Sequence, residues 1–115
     1  MQDKNFLNAI NVDGQTPLHL AVKNDAIDVF TEVFENCKHL FDTNVGDHHG
    51  YTVLHYAAVK AKLAPVVNTL IRCPNTNVNA LSLKGTTPVQ ISIANKNYMS
   101  TIALVILFVC LYYIT

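Results

Sequence analysis

The chain has 115 residues, half of them hydrophobic and 14% charged, with eight Lys and Arg balancing eight Asp and Glu. That length holds one small domain, and the richness in Val, Ile, Leu and Phe excludes a disordered tail. Zero net charge carries no signal for nucleic acid, which a basic domain would give.

Two gradients lie beneath these averages. All eight acidic residues occur at or before Asp47, where Lys4, Lys23 and Lys38 leave a balance of −5; the remainder carries +5 and no acid. The second gradient is apolar, because Tyr98 to Thr115 is 18 residues without a charge, 15 of them hydrophobic. Residues 1–97 have ordinary soluble composition, and 98–115 form an apolar end segment.

At the N-terminus, Met1 to Asn5 contains no apolar h-region of a signal peptide. Cys37, Cys73 and Cys110 are odd in number and widely spaced, with neither a Cys-x-x-Cys pair nor zinc-ligand spacing, so they are expected as free thiols in a reducing compartment. No cofactor or metal is expected.

Self-similarity then organises the chain. Gly14-Gln15-Thr16-Pro17-Leu18-His19-Leu20-Ala21 recurs as Gly50-Tyr51-Thr52-Val53-Leu54-His55-Tyr56-Ala57 and again as Gly85-Thr86-Thr87-Pro88-Val89-Gln90-Ile91-Ser92. A second marker keeps step: Asn8-Ala9, Asn44-Val45 and Asn79-Ala80 each precede the glycine by five or six residues. Three units are expected, starting near residues 11, 47 and 82.

Each unit has the same physical logic. The glycine supplies a left-handed turn, Thr caps the helix that follows, and Pro suits its first turn. In unit one Leu18, Ala21 and Val22 make a small apolar face, and Asn24-Asp25 break the helix. A second helix is expected to turn Val29, Phe30, Val33 and Phe34 inward and Asp28, Glu32 and Glu35 outward. Unit two repeats this with Leu54, Ala57 and Ala58, then Val66, Val67, Leu70 and Ile71, with Pro65 in the first turn of its second helix. In unit three the helix from Tyr98 is expected to turn Ile102, Val105 and Ile106 inward. Ala103, Leu104, Leu107 and Phe108 then stand outside, where unit one carries polar residues.

The apolar run from Ile102 to Ile114 is thirteen residues, short of the roughly 20 that span a bilayer. Tyr98–Thr115 thus reads as the closing helix of the last unit, with membrane contact as an alternative in which Tyr112 and Tyr113 sit at an interface.

The segment Thr16-Pro17-Leu18-His19-Leu20-Ala21 resembles the Thr-Pro-Leu-His-x-Ala signature of the ankyrin repeat, and the other two copies relax it. The resemblance covers roughly Phe6 to Val105, with extra residues around Cys37 to Asp42. It implies an all-α ankyrin-repeat solenoid of about three helix-turn-helix repeats with β-hairpin-like finger loops, and a segment Phe6 to Ala9 that looks like the close of an earlier repeat. His19 and His55 then take a structural role, tying neighbouring turns by hydrogen bonds, and Gln90 can do the same. His48-His49 falls at an exposed finger tip.

The resemblance further implies a non-catalytic scaffold that binds a protein partner through finger tips and the concave helix face. The positions that vary for binding fall on Val12, Asp13, Gln15, Lys23 and Asn24; on His48, His49, Tyr51, Val59 and Lys60; and on Leu83, Lys84, Thr86, Ala94 and Asn95. Tyr51 is the leading hot-spot candidate. Alternatives are a membrane-associated adaptor anchored by its apolar end, and an inhibitory ankyrin protein of the Rel/NF-κB type, suggested by the long insertion and by Asn77-Val78-Asn79-Ala80. Enzymatic activity is not expected: there is no phosphate loop, His-Glu-x-x-His or Gly-x-Ser-x-Gly, and Asp47-His48-His49 lacks a third ligand. The expected location is the cytoplasm, with the nucleus or a membrane surface as alternatives.

Overall fold

A computed structural model describes residues 7–114, with side-chain environments through Leu107. Six α-helices lie wholly among the described residues, in order: α1 Pro17–Lys23, α2 Ile27–Cys37, α3 Val53–Ala57, α4 Ala64–Ile71, α5 Pro88–Ala94 and α6 Tyr98–Ile114. Short 3-10 turns occupy Lys38–Leu40 and Ala61–Leu63. No strand occurs among the described residues, and the fingers between helix pairs are hydrogen-bonded turns.

The inner helices α1, α3 and α5 begin identically. Thr16, Thr52 and Thr87 are N-caps whose hydroxyls accept the N–H three residues on. His19, His55 and Gln90 complete each box by accepting the cap's own N–H. Such a box satisfies two donors that a helix start leaves open. Asn24 and Asn95 end α1 and α5, each side-chain amide donating to the carbonyl four residues back at 2.8 Å. The chain then turns through Asp25 and Lys96, at φ 58° and 56°. Repeat two has no such turn and crosses from α3 to α4 through the 3-10 segment Ala61–Leu63.

Inner helices stack on inner helices and outer on outer, giving two helical layers about 42 × 28 × 24 Å overall. Between them lies one continuous core that includes Leu18, Val22, Phe30, Phe34, Leu54, Val66, Val67 and Leu70. Phe30 stacks on Phe34 and Phe34 on Phe41, so the extra residues after Cys37 fold back onto the core. Asn97 is buried at the start of α6 and donates to the carbonyls of Ala58 and Lys60 at 3.1 and 3.0 Å, pinning repeat three to the end of α3.

Two expectations about the outer helices are corrected. Val29 and Val33 are exposed while Phe30 and Phe34 are buried, because only one side of α2 has a neighbouring repeat to cover it. Among the described side chains of α6 the buried residues are Ser100 and Leu104, and Ile102, Val105 and Ile106 are exposed. The expected register was inverted because α6 is apolar on every side, so hydrophobicity carried no directional signal. The side chains of Phe108, Cys110, Tyr112 and Tyr113, and all of residues 1–6, lie outside the described residues. Among the described residues no helix is long and apolar enough to cross a membrane.

Candidate protein-binding face

Each finger is built on one side-chain oxygen that accepts two backbone N–H groups. Asn11 Oδ1 takes those of Asp13 and Gln15, both at 2.9 Å. Asp47 Oδ1 takes His49 and Tyr51 at 2.8 and 3.0 Å. Ser82 Oγ takes Lys84 and Thr86 at 3.3 and 3.1 Å. Short polar side chains are favoured in turns because they substitute for a backbone acceptor. Adjacent fingers are linked: His48 N–H donates to the Asp13 carbonyl and Leu83 N–H to the His49 carbonyl, each at 3.0 Å.

The two buried histidines extend this linkage. His19 Nδ1 accepts the Thr16 N–H, which leaves the proton on Nε2, and Nε2 donates to the Tyr51 carbonyl at 2.8 Å. His55 repeats the pattern between Thr52 and the Thr86 carbonyl, also at 2.8 Å. Burial pushes both imidazoles below their usual pKa, against the opposing pull of those carbonyls. Both rings are neutral connectors between repeats.

A third linkage runs through Tyr56. Its hydroxyl donates to Asp47 Oδ2 at 2.6 Å and accepts from Gln15 Nε2 at 2.9 Å, so one residue of α3 holds the first and second fingers. Burial and then the Asp47 carboxylate push the Tyr56 hydroxyl up to about 12. Burial raises Asp47, but hydrogen bonds from Tyr56 and from the Tyr51 and His49 N–H groups outweigh it and hold the carboxyl below its usual value. Asp47 is therefore committed to structure. Among the described residues no three His, Cys, Asp or Glu side chains are placed to hold a metal ion.

The fingers and inner helices line a groove of about 500 Å³. Gln15, Lys23, Tyr51, Val59 and Lys60, expected from sequence, lie on its wall. Tyr56 and Ile91 also line it and were missed; they and Leu20 occupy the variable position of Thr-Pro-Leu-His-x-Ala, and that variability was the available signal. At the finger tips Val12 and Leu83 are 85% and 79% exposed, and Asp13, His48, His49 and Lys84 are exposed with them. Tyr51 and Thr86 are half-buried.

Some expected positions are occupied by internal work. Gln15 is buried, its amide held by Asn11 and Tyr56, so its side chain does not reach a surface partner. Asn24 and Asn95 are exposed but bond back to their own helices. Lys60, together with Lys62, pairs with Asp25. Lys23, Val59 and Ala94 are exposed along the helix ends.

A family model of ankyrin repeats in three copies matches residues 1–82. The chain belongs to the ankyrin-repeat family. The repeat that starts at Ser82 lies beyond the matched residues except for Ser82 itself, and its finger turn and capping box follow the same plan. The ankyrin chain is similar to Neurogenic locus notch homolog protein 1 of Danio rerio, 39% identical over 73% of this chain and 3% of that protein. The Xenopus laevis protein of that name is 40% identical over 65% of the chain and 3% of its own length. Putative ankyrin repeat protein FPV031 of Fowlpox virus (strain NVSL) is 35% identical over 74% of this chain and 25% of that protein. The chain thus spans a quarter or less of the relatives it matches. Ankyrin repeats generally mediate protein–protein interaction.

Proposed function

We propose that this ankyrin chain is a non-catalytic scaffold that holds a protein partner between its finger tips and the groove beneath them. The observation that carries the reading is the contrast within each finger. The polar atoms at the finger base are consumed by fixed internal hydrogen bonds, while Val12 and Leu83 at the tips are left exposed. Apolar side chains on a rigid backbone bind with little ordering cost. Tyr51, half-buried and edge-on to His55 at 5.4 Å, is a pre-positioned aromatic anchor. The free thiols Cys37 and Cys73 agree with a reducing compartment such as the cytoplasm or nucleus.

The membrane-anchor reading of 98–115 has less support, since no described helix suffices to cross a bilayer. The reading as a Rel/NF-κB-type inhibitor rests on loop length and Asn77–Ala80 alone.

The test is affinity capture from extract by the wild type, a Val12→Asp/Leu83→Asp variant, and a Glu32→Ala control on the exposed face of α2. A partner retained by wild type and control and lost from the finger variant supports the proposal. For that partner, Tyr51→Ala weakens binding by at least about 1 kcal/mol, roughly fivefold. A partner indifferent to both finger and Tyr51 substitutions places the contact surface elsewhere.

A further inference from the structure

The groove beneath the fingers is interior to the stack. Repeats one, two and three all contribute to its wall, so a further repeat at either end would lengthen the stack without filling it. At about 500 Å³ it is within the range of roughly 300–1,000 Å³ typical of sites that enclose a ligand. Its surface is mostly carbon, from buried Val22 and Leu63, half-buried Tyr51, Tyr56 and Ile91, and exposed Val59.

Most polar atoms of this wall are already paired. Gln15 is held between Asn11 and Tyr56, the Tyr56 hydroxyl is shared with Asp47, and the His55 ring is fixed between Thr52 and Thr86. What remains is cationic or a donor. The Lys23 ammonium is exposed, and neither it nor the Tyr51 hydroxyl has a hydrogen-bond or ion-pair partner among the described residues. Lys60, the other cation of the wall, shares Asp25 with Lys62, so three ammonium groups near the ends of α1 and α3 stand against one carboxylate. No carboxylate lines the groove: Asp47 is turned to Tyr56 and to backbone N–H groups, and Asp13 stands at the first finger tip. A basic segment would set like charge against Lys23, and a purely polar one would leave the carbon wall without a counterpart.

We infer that the groove receives a segment of the protein partner in which a large apolar side chain stands next to Asp or Glu. The apolar group lies against Tyr51, Tyr56, Val59 and Ile91, and the carboxylate pairs with Lys23. This rests on the scaffold reading above and adds the chemistry of the partner.

A random heptapeptide library displayed on phage and selected on the immobilised full chain tests this, followed by fluorescence polarisation of the enriched peptides. Lys23→Glu and Val59→Asp change the groove at exposed positions, Glu32→Ala serves as control, and unchanged circular dichroism and melting confirm that each variant folds. Enriched peptides are expected to carry a large apolar residue beside Asp or Glu, and to bind the control as they bind the wild type. Lys23→Glu is expected to weaken them at least about tenfold by opposing like charges, and to bind better the versions in which Lys replaces the acid. Val59→Asp is expected to weaken both. No enrichment, enriched peptides without an acid, affinity indifferent to Lys23→Glu, or binding of decanoate with no such peptide overturns the inference. The finger variant separates the two readings: a partner lost from Val12→Asp/Leu83→Asp but retained by Lys23→Glu leaves the scaffold standing and overturns the acidic segment.

Discussion

Individual residues differ in whether backbone or neighbour constrains them. Gly50 and Gly85 share the left-handed conformation, at φ 80° and 78°. Alanine at Gly85 meets only the intrinsic cost of that conformation, about 1–2 kcal/mol. Alanine at Gly50 adds a collision with the next finger, and overpacking of that kind costs roughly 1–3 kcal/mol more. Urea denaturation of Gly50→Ala and Gly85→Ala is expected to show the first as clearly less stable; equal losses would mean that finger contact contributes nothing. Ser100 presents the opposite case. Its hydroxyl is buried without a hydrogen-bond partner among the described residues, on a helix face that is apolar in the other repeats. Removing an unsatisfied buried polar atom relieves a desolvation cost of about 1–3 kcal/mol, less what is lost in packing. Ser100→Ala is therefore expected to raise the melting temperature, and a lower one would show that the hydroxyl has a partner in solution. The three turn-forming oxygens of Asn11, Asp47 and Ser82 were legible in sequence only as unit starts. Their residue types differ, and only the fold shows that they do the same work.

At the level of elements, the inner helices were readable because each carries its own start signal within six residues. The capping Thr, the Pro and the His or Gln act locally, so no distant contact is needed to recognise them. Their pH dependence is a property of the linkage. In the folded chain His19 and His55 titrate below their ordinary value of 6.5, so the unfolded chain binds more protons just below that pH. Stability carried by these rings is full above about 6.5 and is lost as pH falls through their folded values. Asp47 adds a second loss at lower pH: its folded pKa lies below 3.8, so its contribution holds above that value and disappears as the carboxyl protonates. Denaturation midpoints measured from pH 7 downward are expected to fall first with the histidines. His19→Gln/His55→Gln, copying the arrangement at Gln90, is expected to fold and to flatten that first decline. An undiminished slope in the double variant would assign the titration to other groups. The outer helices were less legible. The alternation in α2 identified four apolar positions, but which two are buried depends on where the neighbouring repeat lies.

For the molecule as a whole, stability is close to one-dimensional, since each repeat contacts only its neighbours. Among the described residues repeat two alone is covered on both faces, and Leu54, Ala57, Val67 and Leu70 are all at 0% exposure. Hydrogen exchange is expected to be slowest in α3 and α4, and faster in α1 and α5, where one face is open. Slower exchange in α1 or α5 than in α3 would indicate that the stack does not open from its ends. The charge balance also belongs to this scale. The neutral total conceals an acidic first repeat and a basic third, which gives a stack with two unlike ends.

The sequence by itself determined the repeat number, the finger positions and the capping of the inner helices, because these rest on contacts a few residues apart or on a strict period, and its resemblance to the ankyrin repeat implied the structural role of His19 and His55. It also pointed to Gln15, Lys23, Tyr51, Val59 and Lys60, half of the residues that line the groove, since these positions recur at fixed offsets from each Gly. Tertiary structure alone decided that Gln15 is withdrawn from the surface, that Tyr56 joins two fingers through Asp47, and that α6 buries Ser100 and Leu104 in place of Ile102 and Val105. Each of those outcomes depends on a partner one repeat away, and a repeat that is apolar on every side does not encode in its own residues which side will be covered.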